Sequence, residues 1–86
     1  MKSVTTRRFR EAYAELPEDV RRQARRAYRT FRKNPLHPGL NFKKLDGAGE
    51  IYSVRIGISY RALAKSEGAE LVWFWIGPHA EYDRLV

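Results

Sequence analysis

The stretch Leu71-Val72-Trp73-Phe74-Trp75-Ile76 decides how this chain folds. It has no polar member, so it reads as a strand apolar on both faces. Such a strand is expected at the centre of its sheet, covered on both sides. Gly77-Pro78 ends it, because proline has no N–H to give to a ladder. Upstream, Ser66-Glu67-Gly68 is a turn, and Ile58 to Lys65 reads as the preceding strand. Gly57 permits a tight reversal into it. Before that, Ile51 to Ile56 alternates, with Tyr52, Val54 and Ile56 on one face and Ser53 and Arg55 on the other. Asp46-Gly47-Ala48-Gly49 reads as a turn, and Phe42 to Leu45 as a further strand. Downstream, His79 to Leu85 is expected as a short terminal turn or helix.

The first third of the chain has a helical period instead. Phe9, Ala12, Tyr13 and Leu16 recur at i, i+3, i+4 and i+7. Thr5 or Thr6 is placed to cap that helix, and Leu16-Pro17 to end it. Pro17 then opens a second helix, with Glu18 and Asp19 in its first turn. Val20, Ala24, Ala27, Tyr28 and Phe31 form its apolar stripe, and Asn34-Pro35 stops it. Lys2 to Thr5 reads as a short edge strand. The expectation is an α+β fold: an N-terminal helical hairpin on one face of a small, mostly antiparallel sheet of three or four strands.

The chain has 86 residues, consistent with one domain over residues 1–86. The absence of cysteine excludes disulfides, thiolate nucleophiles and thiolate metal sites. Two histidines without metal-ligand spacing make a metal site or cofactor unexpected. Residues 1–16 carry charge throughout and lack the apolar core of a secretion signal, so a cytoplasmic protein without a membrane partner is expected. The net charge of +7 favours a polyanionic partner. Seven cations fall between Arg21 and Lys33, and Arg25 and Arg29 are among them. That Arg-rich helix reads as an RNA or polyanion footprint, or as a solvated face.

Arg55 lies opposite the apolar face of its strand and so on the open side of the sheet. Arg61 sits among apolar neighbours, which calls for a phosphate contact or an ion pair with a carboxylate such as Glu81. His79, at the end of the apolar strand, is a candidate proton carrier near neutral pH. Tyr82, three residues later, shares a site with it if this stretch is helical. Alternation leaves only one of Lys43 and Lys44 on the open face. His37, between two prolines, reads as a structural cap. Trp73, Phe74 and Trp75 read as core, with one Trp reaching the open face.

Taken together, Asn34-Pro-x-His37-Pro-x-Leu40-x-x-Lys43-x-Leu45, Tyr52-Ser-x-Arg55, Tyr60-Arg-Ala-Leu63 and Trp75-Ile-Gly-x-His79-x-Glu81-Tyr82 resemble the RelE/ParE superfamily. These are toxins of bacterial type II toxin–antitoxin systems. The resemblance spans nearly the whole chain and implies a RelE-like sheet with two helices on one face. It implies a cognate antitoxin as partner and, through that complex, operator DNA. In the RelE branch it implies a metal-independent endoribonuclease that cuts mRNA on the ribosome. His79, Arg61, Arg55 and Tyr82 would then be catalytic, and Lys43 and Lys44 would lie on the RNA with Arg25 and Arg29. In the ParE branch it implies a DNA gyrase inhibitor, and some relatives are non-toxic. The chain lacks a second clearly catalytic His and an obvious catalytic Glu on its middle strands, although Glu81 is within reach of the role of base.

Overall fold

The computed structural model describes residues 2–45, 47 and 49–85. Asp46 and Ala48 of the expected turn lie outside the described residues. The chain runs β1 (Lys2–Thr5), α1 (Arg7–Ala14), α2 (Glu18–Lys33), a 3₁₀ turn (Pro38–Leu40), β2 (Lys43–Lys44), β3 (Ile51–Ile56), β4 (Tyr60–Glu67), β5 (Glu70–Pro78) and α3 (His79–Leu85). The strands form one sheet in the order β1-β5-β4-β3-β2. β1 is parallel to β5, and the other pairs are antiparallel. The helical hairpin and the mostly antiparallel sheet are as expected, but the strands number five. The edge strand expected over Lys2 to Thr5 is present as β1, and its pairing with β5 is parallel. β4, not β5, is therefore central, and β5 is second from the edge.

Local chemistry sets the helix ends. The Thr6 hydroxyl accepts the Phe9 N–H at 3.1 Å, which caps α1. Thr6→Ala is expected to cost about 1 kcal/mol in a urea melt; no loss would show that the cap is idle. Glu18 and Asp19 open α2, and Arg32 and Lys33 close it, each in the favourable sense for the helix dipole. The guanidinium groups of Arg21 and Arg25, hydrogen-bonded to it, hold the Glu18 carboxylate below the usual glutamate range. This stabilisation is present above the ordinary glutamate pKa and is lost as pH falls through the lowered one. His37 caps the 3₁₀ turn, its Nδ1 accepting the Gly39 N–H at 3.1 Å.

The core lies between the hairpin and one face of the sheet. Phe31 and Leu40 meet Val54, Ile56, Ala62, Ala64, Leu71, Trp73 and Ile76 there. Phe31 makes edge contacts with both Phe42 and Trp73. Tyr28 departs from the expected stripe: it is 41% exposed, because α1 and α2 leave an open groove above the sheet beside it. β2 keeps only two residues of the expected four, and β4 starts two residues late, at Tyr60.

The apolar strand carries a β-bulge. Leu63 pairs with Trp75 and Ala64 with Trp73, so Phe74 is the extra residue. The bulge resets the alternation. Trp73 and Ile76, three apart, both join the helix-side core, opposite Ala64 and Ala62. Trp75 and Gly77 thereby turn to the other face, beside Leu63 and Arg61.

Candidate functional site

That other face carries Ser53 and Arg55 from β3 and Arg61 and Leu63 from β4. α3 begins at its edge, where the His79 N–H donates to the Ser59 carbonyl at 2.7 Å. This anchor aims the first turns of α3 across the sheet. Arg61, His79 and Tyr82 meet beneath it. The Arg61 Nε donates to His79 Nδ1 at 3.3 Å. The Arg61 guanidinium lies 5.0 Å from the centre of the Tyr82 ring. The His79 and Tyr82 rings stack at 5.7 Å. The Tyr82 hydroxyl reaches the hydroxyl of fully buried Ser53 at 3.5 Å.

Arg61 is the odd member energetically. It is only 8% exposed, and its Nη1 is enclosed without a hydrogen-bond partner. The ion pair with Glu81 weighed from the sequence does not form: Glu81 is exposed, and Arg61 has no carboxylate partner among the described residues. A buried cation held by an imidazole and an aromatic face is a costly arrangement. An incoming anion is the species that would complete it.

The hydrogen bond from Arg61 also sets the histidine tautomer. Nδ1 accepts, so the ring proton of neutral His79 is on Nε2, 3.5 Å from an Asp83 carboxylate oxygen. Asp83 and Ser53 were not singled out from the sequence. Asp83 is four residues after His79, a spacing that matters only once α3 is known to be a helix. Ser53 is on the open-face parity of its strand. Trp75 is the tryptophan that reaches this face. Its indole covers Gly77 so closely that an added Cβ there would come within 2.8 Å of the ring.

The other expected site residues are dispersed. Lys43 pairs with Ser53 in register and so shares the site's face. Lys44 pairs with Tyr52 on the opposite face and bridges to Glu50 at 3.4 Å. Arg55 is the cross-strand neighbour of Arg61, but its Nε donates to the Gly57 carbonyl at 2.8 Å. That bond holds its guanidinium at the β3–β4 turn. Arg25 and Arg29 are on the hairpin, over the far side of the sheet. Arg25 donates to the Tyr13 hydroxyl at 2.8 Å and pairs with Glu18. Those two partners, Tyr13 first, raise its pKa above the usual arginine value. It ties α1 to α2.

A family model for the ParE-like toxin domain matches residues 18–84. The chain belongs to the ParE-like toxin domain family. No curated protein sequence matches this ParE-like domain. Its fold is similar to that of a chain of the RelB-RelE antitoxin-toxin complex from Methanococcus jannaschii: TM-score 0.75, 18% identity, 96% of this chain and 99% of that one covered. A YoeB/ParE toxin from Agrobacterium tumefaciens is also similar, with TM-score 0.73, 19% identity, and coverage of 92% and 99%. So is the isolated RelE toxin of E. coli, with TM-score 0.70, 15% identity, and coverage of 99% and 98%. At such identities the agreement is one of fold. The domain is thus a RelE-like α+β fold carrying an Arg–His–Tyr cluster under its C-terminal helix. Among the described residues no helix is long and apolar enough to cross a membrane.

Proposed function

We propose that this ParE-like domain is the toxin of a type II toxin–antitoxin pair, acting as a metal-independent, ribosome-dependent mRNA endoribonuclease. The observation that carries this reading is the meeting of Arg61 and His79 on one half-buried hydrogen bond beside Tyr82. RNA cleavage without a metal needs a proton carrier and a cation for the pentacoordinate phosphate. The pair supplies both, and it couples them. In the free protein Arg61 Nε is spent on His79 Nδ1. A phosphate that draws Arg61 away frees Nδ1 to take a proton from water; protonated His79 then gives a proton to the departing 5′-oxygen as the 2′-oxygen bonds to phosphorus and its own proton passes to water. The Asp83 carboxylate, 3.5 Å from Nε2, orients the imidazole ring. Lys43, on the same face, adds positive charge along the strand path.

The partner in this reading is a cognate antitoxin; the RelB-RelE complexes that the fold is similar to are assemblies of that kind. An apolar groove of about 750 Å³ between the hairpin and the sheet, bordered by Arg10, Arg25 and Arg29, suits an acidic amphipathic segment. The ParE-like family match favours a second reading, a DNA gyrase inhibitor, which needs no proton carrier.

Purified protein separates the two. The ribonuclease reading expects cleavage of an mRNA bound on ribosomes, unaffected by EDTA levels that spare ribosomes, and unchanged gyrase supercoiling. Intact mRNA together with blocked supercoiling would replace it with the gyrase reading.

A further inference from the structure

A second cavity, of about 500 Å³, opens at the end of the sheet between α2, the β3–β4 turn and the His37–Leu40 segment. That volume is within the range of small-ligand sites. It shares an edge with the His79 cluster. Ser59, in its wall, is the residue whose carbonyl receives the His79 N–H. Arg55, also in its wall, is the cross-strand partner of Arg61, which places the two Cα atoms within about 5.5 Å.

The wall is built for an anion. Arg55 is held at the lip by its bond to the Gly57 carbonyl, with both terminal nitrogens left over. Arg26 enters from α2 on the opposite side. Neither forms an ion pair among the described residues. His37 spends Nδ1 on the Gly39 N–H, which leaves Nε2 available in the same wall. Asp19 is the one carboxylate in the lining, so the cavity stays net positive. Tyr60 supplies an aromatic wall.

We propose that this cavity is a subsite for a nucleotide flanking the cleavage point of a single RNA strand. Arg26 and Arg55 take its phosphate, and Tyr60 lies against its base. The Arg61–Arg55–Arg26 series then forms a cationic path from the cluster, past the β3–β4 turn, to the cavity. This rests on the ribonuclease reading. It also accounts for Arg55, which the cluster does not use.

The test is a titration of ¹⁵N-labelled protein with 2′-O-methyl RNA, which cannot be cut because its nucleophile is blocked. A dinucleotide and a hexanucleotide are compared. The hexanucleotide is expected to shift the amide signals of Thr30, Gly57 and Ser59 as well as those of His79 and Tyr82. The dinucleotide is expected to shift only the latter pair. In the Arg26→Gln/Arg55→Gln variant, hexanucleotide affinity is expected to fall at least tenfold, with dinucleotide affinity unchanged. The slope of log affinity against log salt should decrease by about 0.7 for each lost phosphate contact. Hexanucleotide shifts at His79 and Tyr82 alone, or unchanged affinity in the variant, would overturn the subsite and leave the ribonuclease reading standing. Shifts at the cavity with none at His79 would keep the anion site and count against that reading. No shifts with either RNA would overturn the subsite, and the ribonuclease reading would then stand or fall on cleavage of ribosome-bound mRNA.

Discussion

Arg61→Gln is expected to slow RNA cleavage by about 10²–10³-fold, the usual loss when one donor to a developing oxyanion is removed. Growth arrest on induction should disappear with it. Stability should hardly change. The guanidinium is enclosed, has no carboxylate partner, and leaves Nη1 unsatisfied, so removing its charge also removes a desolvation cost. Arg61→Lys keeps the charge but loses the planar fork, and it too is expected to lose most of the activity. Thermal melts and cleavage assays on both variants separate the roles. A collapse in melting temperature in both, with activity falling only in step, would make Arg61 a structural residue.

Trp73→Ala is expected to have the largest effect on stability. Trp73 packs edge-on against Phe31 at 5.6 Å and faces Ala64 across the sheet. Removing a buried Trp side chain costs about 3–5 kcal/mol. A chain of 86 residues has roughly 4–13 kcal/mol in total. The melting temperature should therefore fall by more than 10 °C, at about 4–8 °C per kcal/mol for a domain of this size. Trp73→Phe is expected to be much milder. Its ring keeps the contact with Phe31, and the indole N–H it removes is buried without a partner. An unchanged melting temperature in Trp73→Ala would contradict the placement of the core.

These two residues also show how far the sequence could be read. The alternation of Tyr52, Val54 and Ile56 against Ser53 and Arg55 was legible because polar and apolar residues mark the two faces. The same rule is silent over Leu71–Ile76. With no polar residue in the run, nothing marks its faces, and the bulge at Phe74 is invisible. That bulge is what sends Trp73 to the core and Trp75 to the site. The parallel pairing of β1 was equally hidden, since a four-residue strand carries no sign of its partner. Arg61 and His79 were each legible as candidates, but their contact joins residues 18 apart and depends on where α3 starts. The guanidinium positions were not legible. Arg25 turns to Tyr13 and Arg55 to the Gly57 carbonyl through the reach of long side chains, which no spacing rule describes.

In the proposed function, the Arg61–His79 pair cleaves RNA during translation. Its most direct test is transcriptome-wide mapping of RNA 5′ ends shortly after induction in a bacterial host, with His79→Ala alongside. New ends clustered within translated codons, and absent from the variant, are the expected result. Growth arrest without new ends, or the same ends in both strains, would contradict it.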